Sequence, residues 1–223
     1  MNRVTAVAAA VDEVRSRIDA AARRGGRRGS DVTLIGVTKT RGIDDIEALI
    51  AADVRDLGEN RARELCEKAD LVGHDVRWHM IGQCQTNKVG VLAPHVTLWH
   101  TVDRLALVEV LARRAPGAQV LVQVDLSNDP GRGGVAPTGV DEVVAAGVES
   151  GLAVAGLMAV APLGVDPRPG FEMVARLRST LGLAELSIGM TDDFEIAVEV
   201  GATLVRVGRA LFAERNPDPG SRR

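Results

Sequence analysis

Eight short runs of β-branched and apolar residues, each followed by a longer stretch with apolar side chains at helical spacing, constrain this chain more than any other feature. The runs fall at 32–37, 54–57, 76–81, 96–101, 120–125, 154–158, 185–188 and 204–207. Between them lie amphipathic segments such as 43–52, with Ile43, Ile46, Leu49 and Ile50 on one face, and 103–114, which the acidic Asp103 is expected to cap. Strands separated by helices cannot pair as hairpins, so they build a parallel sheet with the helices packed outside it. Eight such units are the number that closes a barrel. The competing architecture, a doubly wound open sheet, calls for a glycine-rich phosphate turn after its first strand, and Thr38-Lys39-Thr40 is not one. The expected fold is α/β: a single (β/α)8 TIM-type barrel over residues 1–215, with an extra N-terminal helix. In that helix Val4 to Val11 is apolar behind Arg3, as the core of a short signal would be. Asp12, Glu13 and Arg15 interrupt the run while Val14 and Ile18 continue it at helical spacing, so an amphipathic helix is the reading.

Composition narrows the partners. The formal net charge is −3 with 26% charged residues, and the basic residues are dispersed, so neither a nucleic-acid footprint nor a nucleic-acid partner is expected. The apolar runs fall short of the ~20 residues a membrane-spanning helix needs. His74, His79, His95 and His100 show no zinc-type spacing, and Cys66 and Cys84 add none, so no metal is expected. Reduced thiols and a cytoplasmic location fit two cysteines in a chain long enough to build its own core. Residues 216–223 are rich in proline, glycine and charge, and are expected to fray.

In a β/α barrel the chemistry gathers where the strands end, and here those ends are polar. They carry Thr38-Lys39, Gly58-Glu59-Asn60, Gly82 behind Trp78-His79, Asp103, Asp125, Met158, Ser187 with Gly189, and Arg206 with Gly208. Lys39 closes an apolar run that aims it into the cavity, where partial desolvation would favour a nucleophilic amine able to form an imine. A strand-end lysine can equally be a salt-bridge partner or a phosphate clamp. Ser187-Ile188-Gly189-Met190-Thr191-Asp192 leaves a strand, passes a glycine and is expected to enter a helix capped by Thr191 or Asp192, leaving backbone N–H groups free for an anion. Val205-Arg206-Val207-Gly208-Arg209 repeats the theme, and the loops after strands seven and eight are where such barrels hold phosphate. Taken singly, either glycine could be a plain turn, and Arg209 a solvent-facing first helical residue.

These residues are recognisable together. Val37-Thr38-Lys39, Gly58-Glu59-Asn60, Trp78-His79-Met80-Ile81-Gly82 and Gln85-Thr86-Asn87-Lys88 occur in order with His100-Thr101-Val102-Asp103, Gly156-Leu157-Met158, Leu186-Ser187-Ile188-Gly189-Met190-Thr191 and Arg206-Val207-Gly208. Over nearly its full length the chain resembles the pyridoxal 5′-phosphate (PLP) homeostasis proteins of the YggS type, which look like the barrel half of alanine racemase, a fold-type III PLP-binding barrel. The resemblance implies PLP as cofactor, held as a Schiff base on Lys39. It implies that Asn60 lines the pocket, that Ser187, Gly189 and Thr191 with the amides of Gly208 and Arg209 hold the phosphate, and that Arg206 faces the pyridine nitrogen. Two positions depart from the family. The loop after strand five offers Arg132 where a lysine is usual, and Arg209 replaces a small hydroxyl residue.

A donor-only guanidinium against the ring nitrogen leaves that nitrogen unprotonated, which disfavours transamination and decarboxylation. Racemisation needs a second base on the opposite face, a tyrosine in alanine racemase, and this sequence has 0 tyrosines. The expected role is therefore intracellular PLP homeostasis by a monomer that carries PLP to apo-enzymes, without appreciable turnover. The alternatives are a weak PLP-dependent racemase, or another PLP enzyme that needs a partner, and a Schiff-base aldolase acting on a sugar phosphate. A purely structural protein fits least, because the polar residues cluster at one barrel end.

Overall fold

Side chains on a strand alternate between its faces, so each run contributes one row to the inside of a closed sheet and another to the outside. The computed structural model describes residues 2–73, 76–127 and 133–212. Strands β1 (Thr33–Val37), β2 (Asp56–Glu59), β3 (Arg77–Met80), β4 (Val96–Val102), β5 (Gln119–Val124), β6 (Ala153–Ala159), β7 (Glu185–Ser187) and β8 (Leu204–Val207) form a closed barrel in sequence order. All neighbours are parallel, and β8 returns to β1 with Arg206 beside Ile35. The outer ring consists of α1 (Arg3–Arg24), α2 (Ile43–Ala51), α3 (Ala62–Val72), α4 (Val89–Leu92), α5 (Leu105–Arg114), α6 (Val140–Glu149), α7 (Arg168–Thr180) and α8 (Phe194–Val200).

The alternation splits the core in two. Leu57, Trp99, Val120, Leu157, Leu186 and Val205 face outward and join helix residues such as Leu111, Phe171 and Phe194 in one continuous layer. Ile35, Leu98, Leu121, Met158 and Leu204 form a separate cluster inside the barrel. Phe171, from α7, is fully buried, and truncating such a ring costs about 3–5 kcal/mol.

The first helix is amphipathic as its spacing predicts, burying Val7, Val11, Val14, Ile18, Ala21 and Ala22. It packs against α2 and α8. Among the described residues β8 is followed only by a 3-10 turn at Arg209–Leu211, so α1 covers the seam between β8 and β1. Polar contacts fix it there. Arg15 donates to Ala52 O at 3.1 Å and Asp53 O at 2.8 Å, satisfying carbonyls at the end of α2, while Arg17 pairs with Glu195 at 3.0 Å.

Strand positions follow the sequence expectation, and the helix starts correct it. Asp103 does not cap α5, which begins at Leu105 with Arg104 as N-cap; the Asp103 carboxylate accepts from the Arg104 guanidinium instead. Cys66 and Cys84 are both free, and burial pushes the Cys84 thiol up to about 11. Among the described residues no helix is long and apolar enough to cross a membrane. His74, Arg132 and the 216–223 tail lie outside the described residues.

Candidate functional site

Lys39 follows β1 at the barrel's carboxyl end, in a turn closed by Arg41 N donating to Thr38 O at 2.9 Å. The turn needs a left-handed residue, and Thr40 supplies it at φ 63°, a conformation β-branched residues resist. A charged clasp holds it there. Lys68, from α3, donates to Thr38 O at 2.6 Å, to Glu59 Oε1 at 2.6 Å and to Glu64 Oε1 at 2.7 Å. Thr38 Oγ1 donates to Glu59 at 2.6 Å, and Thr40 N–H donates to Glu64 at 2.5 Å. Both residues flanking Lys39 are thus tied down while Lys39 itself stands exposed. The partial burial expected of Lys39 is absent: it stands exposed in the left-handed turn that follows β1. Burial pushes the Glu59 carboxyl above its usual range despite the bonds from Lys68 and Thr38. For Glu64 the opposite holds: burial is outweighed by Lys68 and the Thr40 amide, and its carboxyl lies low.

Asn60 follows β2 and lines a cleft of about 320 Å³ with Met80, Gln83 and Lys88. Gly82 packs on its backbone so closely that a Cβ there would fall 2.2 Å from Asn60 O.

The loop after β7 makes its turn through Gly189 at φ 91°, where an added Cβ would meet Ala197 Cβ at 2.6 Å. Neither Thr191 nor Asp192 caps the next helix. α8 begins at Phe194, with Asp193 as N-cap, and the Asp193 carboxylate accepts from Met190 N at 2.6 Å. The extra residues leave a loop, and within the described residues the Thr191 and Asp192 amides have no acceptor. After β8 the amides of Gly208, Arg209 and Ala210 are likewise without acceptors among the described residues. The two loops are joined at the surface by Arg209 and Asp192, both exposed. Gly208 keeps the space beside β1 clear, since a Cβ there would lie 3.3 Å from Val37 Cβ.

Arg206 projects inside the barrel, donating to Ser187 O at 2.7 Å, Ser187 Oγ at 2.6 Å and Ala159 O at 3.0 Å. Burial pulls its guanidinium down to about 10, against the nearby Asp193 carboxylate, so it stays charged at neutral pH. Ser187 is fully buried and its hydroxyl is engaged by Arg206 and by His100 at 2.9 Å. Ser187, expected to help hold the phosphate, thus has its hydroxyl engaged within the barrel, and Thr191 offers a second hydroxyl in the loop.

The structure therefore assembles, at one end of the barrel, an exposed amine, two loops of unsatisfied amides and a buried guanidinium. Sequence reasoning missed the clasp, although Glu64 and Lys68 stand at i,i+4 on one helix face, and it missed Asp193 as the cap. His79 and His100 stood out there only by their lack of zinc-type spacing and as members of the family motifs, with no role assigned.

The chain is similar to known proteins. The family model for the alanine racemase N-terminal domain matches residues 10–216. The pyridoxal phosphate homeostasis protein of Mycobacterium leprae is 39% identical, covering 91% of this chain and 90% of its own length. That of Aquifex aeolicus is 36% identical, covering 92% and 96%. The solved structure of PipY from Synechococcus elongatus with PLP bound superposes with a TM-score of 0.82 at 30% identity, covering 93% of this chain and 100% of that one.

Proposed function

The chain belongs to the alanine racemase N-terminal domain family, alongside its pyridoxal phosphate homeostasis proteins, and on that premise we propose that it holds PLP covalently on Lys39 for intracellular PLP balance. When bound, PLP supplies an aldehyde that condenses with a primary amine and releases water.

The residues present fit that group. Its phosphate matches the free amides of Thr191, Asp192, Gly208, Arg209 and Ala210, the Thr191 hydroxyl and the absent Cβ of Gly208. Its ring nitrogen matches Arg206, which can only donate and so keeps that nitrogen an acceptor. Gly189 gives the β7 loop its turn, Asn60 borders the pocket, and Ser187 serves the cofactor from beneath by holding Arg206. Arg209 contributes its amide, while its side chain ties the two phosphate loops together through Asp192.

One observation carries the functional reading: the amine is exposed and its backbone is clamped. An exposed lysine can exchange its aldehyde with other amines, which suits a cytoplasmic monomer that passes PLP to apo-enzymes. A sealed racemase site needs a second base opposite the lysine, and the sequence has 0 tyrosines to serve. Borohydride reduction of the PLP-loaded protein, followed by peptide mapping, should place the label on Lys39; label on Lys88 or none refutes the covalent assignment. Incubation with a PLP-free acceptor enzyme should restore that enzyme faster than a control in which free PLP is trapped. Sustained turnover of an amino acid that Lys39→Ala abolishes would replace the carrier reading with an enzymatic one.

A further inference from the structure

A continuous line of buried polar side chains crosses the barrel interior from the amino end of β2 to the carboxyl end of β7. His79 Nε2 lies 2.9 Å from Asp56 Oδ1, His79 Nδ1 lies 2.9 Å from His100 Nε2, and His100 Nδ1 lies 2.9 Å from Ser187 Oγ. Arg206 then donates to Ser187 Oγ at 2.6 Å. None of the five is more than 6% exposed, and each comes from a different strand. Beside the inner apolar cluster, a broken link in such a line is costly.

Where both rings are neutral, the chemistry of the two ends fixes the direction of every link. Arg206 has donors only. Burial pushes the Asp56 carboxyl up, but the hydrogen bonds from His79 and Arg77 more than offset this and hold it below the usual range, so it is ionised and only accepts. Burial first, with the guanidinium charge of Arg206 also acting against a proton, keeps His100 well below the ordinary histidine range, hence neutral, giving one hydrogen bond and taking one. A single arrangement with neutral rings then makes all the links. Arg206 donates to Ser187, Ser187 to His100 Nδ1, His100 Nε2–H to His79 Nδ1, and His79 Nε2–H to Asp56. The reverse direction would set a bare His79 Nε2 against the carboxylate. At the far end Asp56 is also held by Arg77, with Nε to Oδ1 at 2.7 Å, and Arg77 reaches a cleft of about 460 Å³ that Arg15, Asp19 and Arg55 also line.

We propose that Asp56, His79 and His100 are positioning residues: they orient the Ser187 hydroxyl so that it always presents a lone pair to Arg206, fixing the guanidinium at the floor of the site from the opposite end of the barrel. The charged groups facing the two rings are Asp56 with Arg77 on one side and Arg206 with Asp193 on the other. The consequence for the cofactor rests on the PLP reading; the consequence for the histidines does not.

The test is ring 15N–1H correlation NMR on PLP-free, 15N-histidine-labelled full chain, with His74→Gln and His95→Gln used to isolate the two signals of interest. Both His79 and His100 should carry a single ring proton, on Nε2; an Nδ1–H form, a mixture or a doubly protonated ring at either position overturns the proposal, whether or not any variant folds. Asp56→Asn, whose amide can give as well as take, should turn His100 into a tautomer mixture. It should also weaken PLP retention about tenfold, the effect of roughly one hydrogen bond. A folded Asp56→Asn with unchanged His100 signals refutes the positioning role. Wild-type tautomers as stated, with no PLP bound by the wild type, uphold the directed chain and defeat the cofactor reading alone.

Discussion

Replacing Lys68 with methionine removes the centre of the clasp and keeps most of its aliphatic stem. Lys68 is 7% exposed, and its three acceptors lie at 2.6, 2.6 and 2.7 Å. The variant leaves the Glu59 carboxylate fully buried with only the Thr38 hydroxyl still donating to it among the described residues. Breaking a buried pair from one side costs about 3–5 kcal/mol, because the remaining charge is uncompensated. Glu59 can escape by taking a proton. Its carboxyl is already raised, and a carboxyl raised in the folded state costs stability above its folded pKa and ceases to do so once the pH falls below its unfolded value. The penalty must therefore shrink on acidification, by up to about 1.4 kcal/mol for each pH unit over which Glu59 is newly protonated. Urea unfolding should show a loss of about 3 kcal/mol near pH 7.5 and less than half of that near pH 5. Without the clasp, Thr40 should also relax from its left-handed conformation, worth about 1–3 kcal/mol, and borohydride-fixed PLP on Lys39 should form several-fold more slowly. A loss under about 1 kcal/mol, or one independent of pH, would refute the reasoning that Glu59 is a buried charge held by Lys68.

Three further outcomes follow from the placement of single residues. Lys39→Ala should abolish borohydride-fixed PLP while leaving the urea midpoint unchanged, because the side chain is exposed. Thr191→Ala should weaken PLP retention by about 0.5–1.5 kcal/mol without loss of stability, whereas Ser187→Ala should cost about 1–3 kcal/mol of stability by leaving Arg206 and His100 without the hydroxyl, as a paired titration and denaturation series would show. Arg206→Glu should be destabilising by several kcal/mol, about the cost of an unpaired buried charge, because it sets a carboxylate against Ser187 O and Ala159 O; a variant with native stability and an altered cofactor spectrum would show that the carbonyls do not hold Arg206.

The barrel was legible because its signal is local. The β-branched apolar run at 204–207 and helical spacing in 43–52 depend on residues a few places apart, and the structure has β8 at Leu204–Val207 and α2 at Ile43–Ala51. Element ends were less legible, since where α8 starts is a matter of loop geometry rather than residue type: Asp193 stands at the N-cap without a side-chain cap bond, its carboxylate accepting from Met190 N in the preceding loop instead. At the site, the sequence placed Lys39, Arg206 and Gly208 at strand ends because strand parity and strand ends are readable from one segment. It could not place the exposure of Lys39, which follows from a left-handed turn at Thr40 held by Glu64 and Lys68 of α3.

By itself, then, the sequence determined the number of βα units, the end of the barrel where polar groups collect, and the residue types there, all consequences of neighbours along the chain. Only the tertiary structure decided which of those groups touch. Ser187 meets His100 across a sequence separation of 87 residues, and Arg206 takes Ala159 O across 47. Closing the sheet brings inward side chains from strands far apart in sequence within hydrogen-bond reach, and because a buried polar group left unpaired is costly, closure decides which partner each one takes.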